Sequence, residues 1–306
     1  MEFVSVRTAT IRPDTELMFD VYVLFQDSYL KYRSATQSFN TPSLDRFKAK
    51  KVKKIYIPQE QETQYLSYLD KALEQLQKKD LSVSNRAELA QDTLKQEADS
   101  ISKTLESEEA YRSSESRIQQ VVDFMISEPK ALAGMLTSAG LSVDDSAHGS
   151  TVSSLVLAVG TASKYMNRDE LTDAAVAGLL HDSALKKLGF DVKSDITNIS
   201  KEKRIDFKKH PAIAVEQVAG KQFITPRVLR IITDHEEYGE GLGFPEKKWF
   251  EKLQVDSQIF NLCDAFDHFS IQAGKASKDC FDDFVAARGE HFDMDLIQIL
   301  EQQVKA

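Results

Sequence analysis

The pattern of apolar positions changes character twice along the chain. In residues 1–58 the apolar residues are β-branched and aromatic and come in short runs. FDVYVLF (Phe19 to Phe25) and SYLKYR (Ser28 to Arg33) read as two strands separated by a polar turn at Gln26-Asp27. KKIYIP (Lys53 to Pro58) reads as a third strand stopped by proline, and SLDRFKAKK (Ser43 to Lys51) as a short helix with Ser43 as N-cap. Residues 59–128 contain no Gly or Pro and are rich in Gln, Glu, Lys, Ser and Leu. Leu66, Leu69, Leu73 and Leu76 recur there at three- and four-residue spacing, the signature of an amphipathic helix. From Pro129 onward helical spacing dominates, in SSLVLAVGTASKYM, LTDAAVAGLLHD, TPRVLRIITDHEE and LQVDSQIFNLCDAFDHF. The expected organisation is therefore multidomain: a small α/β regulatory or docking module over residues 1–58, a helical linker over 59–128, and an all-α domain over 129–306.

Composition narrows the class. The chain is 42% hydrophobic and 28% charged, as expected for a globular protein with a substantial core. A net charge of −9 argues against a partner that is a nucleic-acid polymer, whose binding surfaces are basic. The lysines at 48, 50, 51, 53 and 54 read as a solvated face. Two cysteines, Cys263 and Cys280, make no disulfide framework, and MEFVSVRTAT lacks the charged and apolar regions of a signal peptide. No apolar run approaches the roughly 20 residues of a membrane span. A cytoplasmic protein without a membrane partner is expected.

The histidines carry the chemistry. All six (148, 181, 210, 235, 268 and 291) lie in the second half. His181-Asp182 ends an apolar helix whose inward face includes Ala174, Ala177 and Gly178. His148 precedes a helix with Val152, Leu155 and Val159 on one face, and His210 stands before Pro211, a favoured first helical residue. His235 ends a helix that opens with Thr225 as N-cap and Pro226 behind it, and Asp264 lies within NLCDAFDHF. Carboxylates and imidazoles thus fall on the inward sides of five helices. An uncompensated carboxylate in such a core costs several kcal/mol or more, and a bound cation relieves several at once.

In order and spacing, these residues resemble the HD-GYP family of cyclic-di-GMP phosphodiesterases, within the HD phosphohydrolase superfamily, over roughly residues 140–290. The family's HD pair matches His181-Asp182. Its flanking histidines match His148 and His210, its HHE matches His235-Glu236-Glu237, and its last metal Asp matches Asp264. The glycine motif D-G-x-G-Y-P is matched by Glu240 to Pro245, so that GYP becomes GFP.

The resemblance implies an HD-type helical domain and a metal-dependent phosphodiesterase with a binuclear centre and metal-bound hydroxide. Asp182 would bridge the ions, with His148, His181 and Asp264 on one and His210, His235 and Glu236 on the other. Iron or manganese suits the mixed imidazole and carboxylate donors, with zinc as an alternative. Asp144 is a candidate for a third ion. A cyclic dinucleotide or another phosphoester would be the substrate.

The departures touch substrate handling. The family's phosphate-binding lysine falls on Leu185, and Lys186 or Lys187 would take its catalytic, substrate-binding role. The family's Arg-Pro-Tyr is absent, the chain reading QAGKA from Gln272. A turn exposing Gly243, Phe244 and Pro245 would offer a partner-binding surface, for instance to a GGDEF-type protein. This gives a second expectation, a catalytically weak or inactive signalling protein that binds a partner through the GFP region.

Overall fold

The computed structural model describes residues 1–78, 81–141, 144–194 and 198–306. Lys79 and Asp80, in the expected linker, lie outside the described residues. The chain forms two compact units, Met1–Ser82 and Val83–Ala306, which divide inside the segment expected to link two domains.

The first unit carries β1 (Phe3–Arg7), β2 (Val21–Phe25), β3 (Ser28–Arg33), α1 (Thr41–Ala49), β4 (Lys54–Pro58) and α2 (Glu62–Leu73). Its antiparallel sheet has the order β1-β4-β2-β3. Gln26 and Asp27 both have positive φ, 46° and 60°, the two-residue hairpin turn whose twist matches that of the strands it joins. Ile55 and Ile57 alternate inward, and Phe19, Val21, Phe39 and Phe47 share their core. Tyr65 and Tyr68 add the buried face of α2 to the same core, so α2 belongs to this unit. Helix α1 starts two residues before Ser43, and its cap is Asn40, whose side-chain oxygen accepts the Ser43 N–H at 3.0 Å. Ser43 is therefore not the N-cap: Pro42 fixes the first turn upstream of it.

The second unit is all helix: α3 (Val83–Thr104), α4 (Glu108–Ser127), α5 (Leu132–Ala139), α6 (Asp145–Ser163), α7 (Arg168–Leu180), α8 (Lys201–Phe207), α9 (His210–Val218), α10 (Pro226–Asp234), α11 (Val255–Ala273), α12 (Ser277–Arg288) and α13 (Met294–Val304). Helices α3 and α4 bury long faces, including Leu94, Ile101, Ile118 and Phe124, and pack on α5, α6 and α7. They are part of the domain, not a connector. Helix α6 is buried from Ala147 to Gly160 although it is rich in Ser and Thr. Four of its buried hydroxyls are satisfied within the helix: Ser150, Thr151, Ser153 and Ser154 donate to carbonyls three or four residues back.

Two features of this packing set the site. A Cβ on Gly149 of α6 would stand 2.7 Å from the Gly178 carbonyl of α7, and one on Gly178 would overlap Ser153. Glycine at both places lets the two helices touch backbone to backbone, within a turn of His148 and His181. At the far end, Arg227 of α10 binds Glu170 and Asp173 of α7 at 2.7 and 3.3 Å and Asp256 of α11 at 2.9 Å. This fixes α7, α10 and α11 relative to one another. No helix among the described residues is long and apolar enough to cross a membrane.

Candidate metal centre

The donors come from helix ends and one helix middle. His148 lies in the first turn of α6, His181 and Asp182 at the end of α7, His210 at the start of α9, and His235 and Glu236 at the end of α10. Asp264 comes from the middle of α11. The end of α10 is fixed by Asn261, whose amide donates to the carbonyls of Asp234 and Glu237 at 2.6 and 2.8 Å. The seven residues expected to bind metal are thereby brought together.

Each imidazole is oriented from behind. His181, His210 and His235 place Nδ1 at 3.0, 2.8 and 2.8 Å from the carbonyls of Gly178, Phe207 and Ile232, each three residues earlier. A carbonyl only accepts, so Nδ1 carries the proton and Nε2 presents a lone pair to the interior. His148 sets Nδ1 at 2.7 Å from the Asp267 carboxylate, the carboxylate–imidazole arrangement that supports metal-bound histidine.

Asp182 divides the cluster in two. Its Oδ2 lies 3.4 Å from His181 Nε2 and 3.7 Å from His148 Nε2. On that side Asp264 Oδ1 stands 3.0 Å from His148 Nε2 and 3.4 Å from His181 Nε2. The other oxygen, Oδ1, lies 3.4 Å from His210 Nε2 and 3.7 Å from His235 Nε2, and Glu236 Oε1 is 3.7 Å from His210 Nε2. Donors sharing one ion at about 2.1 Å are separated by roughly 3.0 Å at adjacent octahedral corners and roughly 4.2 Å at opposite ones. Both sets fall near or within that range.

The residues fit cations on two counts. Asp182 Oδ2 and Asp264 Oδ1 are buried and have no hydrogen-bond partner. The Nε2 atoms of His210 and His235 face each other at 2.8 Å, as do those of His148 and His181 at 3.2 Å. Two lone pairs at that distance repel unless a proton or a metal ion lies against them. Without metal the protons are unevenly held. Burial alone would raise Asp182 and Asp264, but the imidazoles around them, His181 foremost, hold both below the ordinary carboxylate range. Burial and the adjacent His235 push His210 down to about 3. Burial works against protonation of His235, yet Asp182 and Glu236 raise it to about 9. Burial and the charges of Asp264 and Asp182 bring Glu236 up to about 8.

The surroundings correct two expectations. Phe244 is not exposed: its ring is 7% accessible and packs with Leu185, Phe207 and Phe190 beside His210. The turn folds inward because Glu237 accepts the N–H groups of Glu246 and Lys248 at 2.6 and 2.9 Å. Gly243 is also buried, and a Cβ there would overlap the backbone of Glu236 and Glu237. Of the three residues expected to meet a partner, Pro245 alone is exposed. Leu185, at the position of the family's lysine, is buried in the same apolar cluster, whereas Lys186 and Lys187 are exposed on the short turn Leu185–Leu188. Asp144 caps α6 by accepting the Ala147 N–H at 2.9 Å.

Sequence reasoning missed His268 and Asp267. His268 lies four residues after Asp264 on α11, with Nε2 at 3.8 Å from Asp264 Oδ1 and 3.9 Å from Asp182 Oδ2. The D-x-x-x-H spacing, which puts both side chains on one helix face, was the available signal.

Residues 119–296 match the HD domain family. No curated protein matches. Among solved structures, the fold is similar to that of Bd1817, a HDG"Y"P protein from Bdellovibrio bacteriovorus, with a TM-score of 0.82, 24% identity and all of each chain covered. HD domains bind divalent metals, and the buried His and Asp clusters around Asp182 could hold such ions. The chain belongs to the HD domain family, the metal-dependent phosphohydrolases, and shares its fold with an HD-GYP protein.

Proposed function

We propose that the protein is a cyclic-di-GMP-type phosphodiesterase with a binuclear centre, acting in the cytoplasm. The observation that carries this reading is Asp182, whose two oxygens face two separate sets of donors. Two divalent ions, iron or manganese by the donor chemistry, would activate water and neutralise the phosphate oxygens. His148, His181 and Asp264 hold one ion and His210, His235 and Glu236 the other. Asp267 and the three backbone carbonyls keep the imidazoles in the ligating tautomer. Lys186 and Lys187, on the turn that follows Asp182, meet the substrate phosphate from solvent. Product chromatography tests this reading: manganese- or iron-loaded protein converts cyclic-di-GMP to the linear dinucleotide or GMP, and a His181→Ala variant does not. Metal-loaded protein that leaves cyclic-di-GMP intact rejects this substrate.

A second reading has its own support. Leu242 and Trp249, at 55% and 48% exposure, and the exposed Pro245 lie close in sequence to the buried Phe244. Such a patch suits a protein partner, with a GGDEF-type protein as the candidate. Co-purification that survives Leu242→Asp and Trp249→Asp would reject this surface.

A further inference from the structure

His268 has a geometry that a hydrogen bond does not explain. Its Nε2 is 3.8 Å from Asp264 Oδ1 and 3.9 Å from Asp182 Oδ2, beyond hydrogen-bonding reach of either. Those oxygens are the two buried carboxylate atoms of the centre that lack hydrogen-bond partners. The same separations suit three donors around one ion, between the roughly 3.0 and 4.2 Å of adjacent and opposite corners. The ring also lies against His148, with centroids 4.3 Å apart, and His148, Asp264 and His268 together form a set able to hold a metal ion.

We propose that His268 is a direct ligand of the ion held by His148, His181, Asp182 and Asp264. This rests on the two-ion reading above and makes the centre asymmetric. Five protein donors leave at most one position of an octahedron on the His148 side. The His210 side has four donors, His210, His235, Glu236 and Asp182, and keeps two positions for water or substrate oxygens. The first ion is then the slowly exchanging one, and the second is exchangeable and faces the chemistry.

Metal retention tests the assignment without reference to turnover. Wild type, His268→Ala, His268→Gln and His210→Ala are loaded with Mn(II) and dialysed against a chelator. Metal per chain is followed in time by mass spectrometry, with circular dichroism to confirm folding. Wild type is expected to lose one ion quickly and the second slowly. His268→Ala and His268→Gln lose the slow ion at least about tenfold faster, whereas His210→Ala keeps it. In Co(II)-loaded protein the visible absorption of the slow ion shifts in both His268 variants. Unchanged slow release and an unchanged Co(II) spectrum in folded His268 variants overturn the ligand assignment and leave the two-ion reading standing. Wild type that takes up no ion overturns both.

Discussion

The donor cluster and the apolar cluster beside it meet at His210, and they differ in what they need. Leu185, Phe207 and Phe244 bury their apolar side chains in one cluster, with Phe190 packed against it. The donor cluster confines carboxylates with unpartnered oxygens and imidazoles whose Nε2 atoms face one another in a buried space. Burial by itself stabilises the first and destabilises the second, so the second calls for cations. The positions of the family's lysine and tyrosine both fall in the apolar cluster, as Leu185 and Phe244. Leu185 and Phe244 are buried there beside His210, while the donor residues around Asp182 form groups that could hold metal ions.

The contrast between the two clusters is greatest at Asp182. Asp182→Ala removes the donor shared by the two proposed ion sites, so both ions and the reaction are expected to be lost. Product formation should fall at least about a thousandfold, roughly 4 kcal/mol, with metal content measured on the same sample. A variant retaining both ions would contradict the bridging role. On the apolar side, Phe244→Ala should lower unfolding free energy by about 3 kcal/mol in urea melts. Its metal content should stay at the wild-type level, since the ring offers no donor. Loss of metal with intact stability would reverse the assignments of the two clusters.

Asp267→Asn sharpens the comparison within the donor set. It keeps the shape beside His148 but removes the charge that supports its Nδ1 proton. Metal affinity is expected to fall about tenfold, read by competition with a metal indicator.

The smallest effect concerns protons. With His235 raised to about 9 and Glu236 to about 8, both carry protons at pH 7 in the metal-free protein. Metal must displace them, so apparent affinity should rise from pH 7 to about 9 and then level off. Calorimetry in buffers of different ionisation enthalpy should record proton release, with about one proton fewer for Glu236→Gln.

Much of the centre was legible because its donors sit on helices. A helix converts sequence spacing into a face, so His148, His181-Asp182, His210, His235 and Asp264 could be placed inward from their apolar neighbours. His268 escaped because its spacing from Asp264 places it on the same helix face without showing what that face meets, and Asp182, 86 residues earlier in the numbering, comes to 3.9 Å only in the fold. Asp267 escaped for the same reason, since its role exists through His148 on α6. The burial of Phe244 depends on Glu237 gathering two backbone N–H groups from beyond the turn, a tertiary effect that the glycines alone do not specify. In the first unit β2, β3 and β4 followed from their β-branched and aromatic runs. Strand β1 did not, although Val4 and Val6 alternate there, because five residues at a terminus give little periodicity.

Asp182 is proposed to lie between two ions. The most direct test is anomalous X-ray scattering from crystals of the Mn(II)-loaded protein. Two peaks are expected, one bordered by Asp182 Oδ2, His148, His181 and Asp264, the other by Asp182 Oδ1, His210 and His235. A single peak, or peaks that do not flank Asp182, would contradict it.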